Sequence, residues 1–404
     1  MRLQLILILA VLTGSCVSIK AQQPLPDSIP VSTLDSLRPS LPVDAHFLLS
    51  YYEQDGNHSA VTGGTGTEEL QDIASRIIVN VPVDSVTRIS VDLGMNHYTS
   101  ASTDRIDSRI SSASRKDNHV EMYFGYEKDI PKRKMTYGLN AGGSIESDYL
   151  STSAGGKWSK MSENENREIM VGAQVFLDTW VLIFPEELRT VASQQVHTDK
   201  RRSYSVSVRF SQVLNRRMEA QATAELVYQH GLLSTPFHRV YFENEDMARI
   251  EKLPESRWKY PVGLHLNYFV TDWLVLRSYY RFYADDFGII AHTARLETPL
   301  KFSPFFALLP FYRFHNQHAS DYFAPFAAHL QGEEFYTSDF DLSSFSSRKM
   351  GMAARYAPLR GLARFKLRES VLRLRSVEIR YARYRRSDGL EANMGTLHLA
   401  FILP

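Results

Sequence analysis

The sequence predicts an all-β fold, an antiparallel transmembrane β-barrel of about 16 strands, within a range of about 14–18. Three observations predict it: an export signal at the N-terminus, segments in which apolar and polar residues alternate, and connections that are short on one side and long on the other. Barrels of this kind have short periplasmic turns and long extracellular loops. They lie in a bacterial outer membrane, surrounded by the lipid bilayer and lipopolysaccharide.

The first residues have the pattern of a secretory signal peptide, predicted over residues 1–21. Arg2 precedes an apolar run over residues 3–12, and small residues follow. The run is shorter than the roughly 20 apolar residues that a membrane-spanning helix needs. We predict cleavage after Ala21. Cleavage before Cys16 would give a lipid-anchored protein instead, but Thr13 stands where a lipoprotein signal usually has Leu.

Two regions follow the predicted cleavage site. Residues 22–43 are rich in Pro and Ser, which predicts a flexible periplasmic leader, and residues 44–404 are predicted to form the barrel. Because Cys16 is the only cysteine, a mature chain that begins at residue 22 would have no disulfide, catalytic thiol or cysteine metal site. The 46 basic and 45 acidic side chains nearly balance, which argues against a nucleic-acid partner.

The alternating segments predict the strands. In Ile89–Asn96, Tyr204–Ser211 and Val377–Tyr381, every second residue is apolar. Successive side chains of a strand point to opposite faces, so each segment has one apolar and one polar face. The segments run about 10–13 residues, longer than the ~5–6 of most soluble strands and long enough to cross a bilayer when tilted. Aromatic residues near the segment ends are typical of interfacial girdles.

The connections between the candidate strands show the expected asymmetry. The candidate strands lie near residues 45–55, 73–82, 87–98, 118–128, 134–145, 149–160, 167–179, 202–213, 217–229, 258–269, 273–284, 288–299, 305–315, 346–357, 373–384 and 392–402. Connections from even to odd strands are mostly short, and the long ones mostly join an odd strand to the next even strand. The fifth-to-sixth connection is short and the fourteenth-to-fifteenth is long, against this trend.

Several segments carry a resemblance to a known family. They are residues 47–64, 97–102, 111–114, 235–242, 284–288 and 386–390. The chain resembles, over nearly its whole mature length, an uncharacterised family of bacterial outer-membrane β-barrel proteins, a domain of unknown function numbered 3570. The family has no established activity. Its members look like neighbours, in gene order, of thioredoxin-like, small lipoprotein and flavin-transferase proteins. That implies, by association, envelope redox or flavin-linked work.

Charged residues on the polar faces are candidates for binding in the lumen. They are Arg88, Asp92, Glu121, Glu225, Arg277, Arg281, Arg295, Glu297, Glu378 and Arg380. A barrel of this size has a lumen wide enough for water. The charges would either line a passage and set its selectivity, or pair across the lumen and close it along with an inserted loop. Because charges on a buried face are usually paired, pairing is the favoured interpretation.

The long loops offer a second set of candidates. The first loop and its flanks contribute Asp55, His58, Thr62, Gly63, Glu68 and Asp72. These residue types suit a cation or a phosphate, but the Gly-Lys-Ser/Thr ending of a phosphate-binding loop is missing, and a flexible surface loop is favoured. Asp104, in the second loop, is a calcium candidate whose spacing fits no known calcium loop.

A catalytic site would need a cluster of functional side chains. His58, His97 and His119 flank the first two outward loops, and with Asp55 and Asp104 they are the candidate for a metal site or an acid–base pair of the barrel-hydrolase kind. Neither a Gly-x-Ser-x-Gly elbow nor a zinc-peptidase motif supports an enzyme. We therefore predict no enzyme, no cofactor and no resident metal.

Two classes of function remain. The first is a pore or transporter for a small solute, which the polar lumen face favours. The second is a non-conducting outer-membrane scaffold that docks periplasmic thioredoxin-like or flavin-linked lipoprotein partners, which the Pro-rich leader favours. An outer-membrane enzyme is the third. The last strand reaches Phe401 near the C-terminus, as expected for a barrel recognised by the outer-membrane assembly machinery.

Overall fold

Sixteen antiparallel strands close into one barrel. The computed structural model describes residues 41–100, 116–182, 184, 197–367 and 370–403. The predicted signal peptide and almost all of the predicted leader lie outside these residues. The barrel closes because β1 (Val43–Asp55) pairs along its whole length with β21 (Glu391–Leu403). The predicted fold class and strand number are confirmed.

The remaining strands are given in chain order, and all except β10 and β11 follow one another around the barrel sheet. They are β2 (Leu70–Pro82), β3 (Thr87–Ser100), β4 (Lys116–Ile130), β5 (Met135–Ile145), β6 (Tyr149–Met161), β7 (Arg167–Leu182), β8 (His197–Asn215), β9 (Met218–Gly231), β10 (Arg239–Val240), β11 (Arg249–Ile250), β12 (Ser256–Lys259), β13 (Val262–Phe269), β14 (Val275–Ala284), β15 (Ile290–Glu297), β16 (Leu300–Lys301), β17 (Phe306–Gln317), β18 (Phe345–Tyr356), β19 (Ala363–Leu367) and β20 (Ser370–Arg386). Short 3-10 helices occupy Ala60–Thr62, Pro131–Arg133 and Phe340–Leu342. Strands β10 and β11 form a separate two-stranded ribbon within one loop.

Three barrel strands are each built from two pieces. The pairs β12–β13, β15–β16 and β18–β19 each form one strand position in the ring of sixteen. The sequence predicted the first two of these strands as continuous. Pro261 and Pro299 stand at the two breaks, and a proline has no N–H to donate to a neighbouring strand.

The long connection predicted between the fourteenth and fifteenth strands is wrong. The fourteenth strand resumes as β19, and Leu367 pairs directly with Ser370 at the start of β20. The additional residues instead interrupt the strand at 357–362. There Gly361 adopts φ 75° and its N–H donates to the carbonyl of Pro358. The turn that follows is therefore as short as the others at that end of the barrel.

Large apolar side chains cover the outside of the barrel. Leu139 is 65% exposed, Ile379 61% and Leu264 53%, and each lies on the face opposite the charged residues. A closed sheet with so much exposed apolar surface is suited to lipid, which solvates it where water would not. Among the described residues, no helix combines the length and the apolar character needed to cross a membrane.

The two ends of the barrel differ. At the turn end, where β1 begins and β21 finishes, the connections are short, for example residues 83–86 and 216–217. At the loop end, residues 56–69, 232–255 and 318–344 form long described connections. We call these three loops the lid. The turn end corresponds to the predicted periplasmic side and the loop end to the predicted extracellular side.

Candidate functional site

The ten charged residues predicted to face the lumen all lie on the inner face of the sheet. The register fixes this placement, because each residue alternates with outward apolar neighbours of its own strand. Arg277 stands opposite Glu297 on the inside, for example, while Ser278 and Leu296 stand opposite each other on the outside. The same alternation places the others on the inside of β3, β4, β9, β14, β15 and β20.

One group of inner charges belongs to the second, third and fourth strands. The Arg76 guanidinium donates to Asp92 at 2.8 Å and to Glu121 at 2.5 Å. On the neighbouring inner positions, Arg88 lies 3.0 Å from Glu127. Arg76 was not among the predicted lumen residues, although it occupies an alternating polar position of β2. It is the residue that joins two of the predicted carboxylates.

A second group gathers around Glu297. Its carboxylate lies 3.0 Å from Arg277, 2.5 Å from Arg295 and 3.8 Å from Arg380. Arg295 and Arg380 also stand over the ring of Phe311, at 5.4 and 5.5 Å from its centroid, which adds a cation–π contact to each. One buried carboxylate thus holds three guanidinium groups on one side of the lumen.

Basic residues predominate on that side of the lumen. The basic wall, as we name it, consists of inner-face residues of β14, β15, β17, β18 and β20, with Glu297 and Glu378 set among them: Arg277, Arg281, Arg295, Arg313, Lys349, Arg355 and Arg380. The side chain of Arg277 is 51% exposed and that of Arg295 is 39% exposed, although both point inward. Solvent therefore reaches the wall from inside the barrel.

These ion pairs run along the wall. Each joins residues of one strand, or of strands at most three positions apart in the ring, as between Arg380 on the fifteenth and Glu297 on the twelfth. The favoured prediction was a structural ladder of charges that pair across the lumen and close it along with an inserted loop. The pairs that the described residues form have a different geometry, because neighbouring strands bring opposite charges close enough without bridging the open space.

The lid crosses the mouth of the barrel. The loop of residues 56–69 joins the first two strands, and the loop of residues 232–255 joins the ninth and tenth, on the opposite side of the ring. Yet the Arg239 guanidinium donates to the carbonyl of Val61 at 2.7 Å. Loops that start on opposite sides can touch only if they extend over or into the mouth between them. The third loop, residues 318–344, completes the lid.

The lid has a core of its own. The most buried large side chains of the described chain include Phe242 and His329 of the lid, together with Phe287 of the turn between β14 and β15. Phe242 packs edge-on against Tyr336 with ring centroids 4.9 Å apart, and Phe287 packs edge-on against Tyr322 at 5.2 Å. In the described residues, the barrel wall is one sheet thick and encloses no hydrophobic core of its own. The hydrophobic core that these residues form therefore lies in the lid.

The candidates in the first loop serve the packing of the lid. His58 stacks on Phe340 with centroids 3.8 Å apart, and its Nδ1 lies 3.1 Å from the carbonyl of Gly64. The Thr62 hydroxyl donates to the carbonyl of Thr65 and lies 3.3 Å from the carbonyl of Ser59, at the end of the 3-10 turn. Gly63 ends that turn with φ 82°, and a Cβ there would lie 2.6 Å from the Tyr241 ring.

The acidic candidates in and beside that loop have different surroundings. Burial, followed by the nearby Asp341 carboxylate, raises the pKa of Glu68 to about 7. Asp55 ends β1 and Asp72 lies near the start of β2, on the inner face. Asp104 falls outside the described residues. The first loop, interpreted from sequence as a flexible surface loop, is an ordered part of the lid.

The three histidines considered for a metal site do not meet. His97 points outward from β3 and lies 2.9 Å from the amide oxygen of Asn118, whereas His119 points inward from β4 and lies 2.6 Å from Glu146. Among the described residues, two groups of three side chains come close enough to share an ion, and neither contains these histidines. One group is Asp117, Glu146 and Asp148, and the other is His238, Glu251 and Asp339.

The His238, Glu251 and Asp339 group lies inside the lid and was missed by the sequence analysis. His238 and Glu251 come from the loop of residues 232–255, and Asp339 comes from the loop of residues 318–344. Burial, with the neighbouring Asp341 and Glu251 carboxylates, raises the pKa of Asp339 above its usual range. His238 lies in the segment of residues 235–242, which carries part of the family resemblance. The residues around it give no sign that Asp339, about 100 positions further along the chain, lies beside it.

Sequence comparison decides the family. The family model described as "Protein of unknown function (DUF3570)" matches residues 42–368. The chain belongs to this family. The match covers β1 to β19 and the whole lid, and it ends before β20 and β21. No curated protein matches the chain.

Solved structures with a similar fold share little sequence with this DUF3570 protein. A bacterial polysaccharide outer membrane secretin has a TM-score of 0.47 and 8% identity, with 89% of this chain and 97% of that chain covered. The siderophore receptor PirA from Acinetobacter baumannii has a TM-score of 0.44 and 10% identity, with 84% and 53% covered. OccK1 from Pseudomonas aeruginosa has a TM-score of 0.40 and 9% identity, with 89% and 98% covered. The chain thus spans about half the length of PirA.

Proposed function

We propose that this protein lies in a bacterial outer membrane and passes a small, negatively charged solute through its lumen. The basic wall is the observation that carries the proposal. Its guanidinium groups point inward, several remain exposed to solvent, and basic residues predominate over the two carboxylates set among them. A pore lined by arginine and lysine favours anions, because the fixed charges lower the free energy of an anion within the lumen.

The opposite side of the lumen has no acidic side chain on β5 or β6 that would repel an anion. The inner faces of these two strands carry mainly glycines and serines, including Gly138, Gly142, Ser151 and Ser153. The Lys157 and Tyr123 side chains lie over Gly138 and Gly142, and Lys157 adds a positive charge. A solute that binds weakly to several arginines in turn would move along the wall instead of being held at one site.

The test is conductance of the refolded mature chain, residues 22–404, in a planar bilayer under a potassium chloride gradient. We expect steady openings and a reversal potential displaced toward that of chloride. Arg277→Glu and Arg281→Glu should each displace the reversal potential toward that of potassium, because each replaces a fixed positive charge of the lumen by a negative one.

The matched control is Lys132→Glu, in the exposed turn between β4 and β5. It makes the same change in net charge outside the lumen and should leave the reversal potential unchanged. A folded barrel that passes no current would contradict the proposal. So would a conducting barrel whose reversal potential is the same in all three variants.

A second candidate function is a non-conducting scaffold for periplasmic thioredoxin-like or lipoprotein partners, and the lid crossing the mouth favours it. In that case the folded barrel would pass no current with the lid in place and would conduct only after the lid is removed. A photocrosslinker at Lys132, on the turn end, would capture a periplasmic partner, whereas one at Thr65 in the lid would not.

A further inference from the structure

The His238, Glu251 and Asp339 group has the separations of a metal site. The Nδ1 atom of His238 lies 3.5 Å from Oε1 of Glu251 and 3.9 Å from Oδ2 of Asp339. Both distances are long for a charged hydrogen bond, which is usually about 2.7–2.9 Å. Ligand atoms at about 2.0–2.1 Å from a tetrahedral ion lie about 3.3 Å from each other. The spacing of the three atoms therefore fits ligands around one ion better than it fits direct hydrogen bonds between them.

Other hydrogen bonds of Asp339 and Glu251 hold their carboxylate oxygens in place. The other oxygen of Asp339 accepts from the backbone N–H of Asp341 at 2.9 Å, which leaves Oδ2 directed at His238. Oε2 of Glu251 accepts from the backbone N–H of Thr235 at 2.6 Å. The Thr337 hydroxyl donates to Oε1 of Glu251 at 2.5 Å and accepts from the backbone N–H of Asp339 at 3.0 Å. Outer contacts of this kind orient the ligands of protein metal sites.

Charge and burial agree with this geometry. The side chain of Glu251 is 2% exposed, that of His238 16% and that of Asp339 27%. In the contacts described for these three residues, His238 is the cation available to two carboxylates. A divalent cation would neutralise both carboxylates with a neutral imidazole, whereas burying two carboxylates with one charge-balancing histidine is unfavourable.

We propose that His238, Glu251 and Asp339 bind a divalent transition-metal ion, with zinc as the first candidate. One imidazole nitrogen and two carboxylate oxygens form a mixed set that zinc accepts, and a fourth position remains for water or a bound solute. Because the ligands come from two loops of the lid, the ion joins residues 232–255 to residues 318–344. The residues that carry this inference lie in the lid and not in the basic wall, so the metal site and the proposed pore can be tested separately.

The test is zinc binding to the refolded mature chain in detergent, after treatment with EDTA, measured by competition with a chromophoric chelator. We expect one saturable equivalent. His238→Ala and Asp339→Asn should each weaken binding by at least about 100-fold, and Thr337→Val by about 10-fold, because it removes only an orienting hydroxyl. The matched control is His58→Phe, which removes an imidazole from the same lid but keeps a ring to stack on Phe340.

A second readout follows the two loops directly. Zinc should slow tryptic cleavage at Arg249 in the lid of the wild-type chain and should not do so in Asp339→Asn. Heat-modifiable migration on a gel confirms in each case that the barrel is folded. A folded wild-type barrel with no saturable zinc site overturns the proposal, and so does binding that all the ligand variants retain. A barrel that binds zinc but passes no current would contradict the proposed pore alone.

Discussion

Single residues decide where the loops of the lid can approach each other. Gly64 adopts φ 83°, and a Cβ at this position would lie 2.7 Å from the carbonyl oxygen of Ser338. At the adjacent Gly63, the absence of a Cβ allows the Tyr241 ring to pack against the backbone. A residue with a side chain would be strained in this backbone conformation and would separate the loops. The glycines that suggested flexibility in the sequence are therefore required for a close contact.

Glu68 makes the lid sensitive to pH. Its pKa in the folded chain is about 7 instead of 4.5, so folding of the lid favours the neutral carboxyl. The stabilising contribution is complete below pH 4.5 and is lost as the pH rises through about 7. The charged groups that face it are Asp341, Arg386, Asp339 and Asp388. Because three of these are acidic, the ionised Glu68 is repelled on balance.

Hydrogen exchange of residues 56–69 measures this effect, after correction for the intrinsic rate at each pH. We expect stronger protection at pH 5 than at pH 8. In Glu68→Gln, which is neutral at both values, the difference should largely disappear, while Glu69→Gln should keep it. Equal protection of the wild-type loop at both pH values would contradict the assigned role of Glu68.

At the scale of elements, local pattern predicted the strands and not the lid. β4 was predicted at 118–128 and spans Lys116–Ile130, and all sixteen predicted segments coincide with barrel strands. Alternation is a property of neighbouring residues, so it can be read directly. The lid depends on contacts between distant residues, such as Phe242 with His329 and Lys252 with Tyr336, which have no periodicity. The same limit explains why His238, Glu251 and Asp339 were not recognised as one group.

The lid is also the element that must move if a solute is to pass. Lys252 and Tyr336 exchange two backbone hydrogen bonds, at 3.1 and 2.7 Å, across two of its loops. Residues paired in this way are close enough for an engineered disulfide. We expect the oxidised Lys252→Cys/Tyr336→Cys variant to show at least about a 5-fold lower open probability in bilayers, since the disulfide keeps the two loops together.

Reduction with dithiothreitol should restore the openings, and each single cysteine variant should behave as the wild type under both conditions. The chain of residues 22–404 provides a cysteine-free background, because Cys16 is the one cysteine of the sequence. Unchanged openings in the fully oxidised double variant would show that these two loops need not separate during conduction.

At the scale of the whole molecule, closure of the sheet creates two unlike surfaces. Outside, apolar residues such as Ile379 and Leu139 are exposed, and inside lie the charges of the basic wall. The inner charges need water to remain ionised, and the outer residues need lipid. Each strand supplies both surfaces, so a one-residue shift in register would place charge in the bilayer and leucine in the lumen.

This division predicts that an introduced arginine destabilises the barrel more on the outer face than on the inner face. Ile379 is 61% exposed, points outward and lies at the middle of β20. Ile379→Arg should lower the free energy of unfolding by about 2–4 kcal/mol, the cost of placing arginine at the bilayer midplane. Ser50→Arg, on the inner face of β1, two strands away from β20, should change it by less than about 1 kcal/mol, since water solvates the new charge. Urea titration in lipid vesicles, followed by tryptophan fluorescence, measures both. Equal destabilisation by the two variants would mean that the inner face is not hydrated, and the proposed aqueous passage would then fail with it.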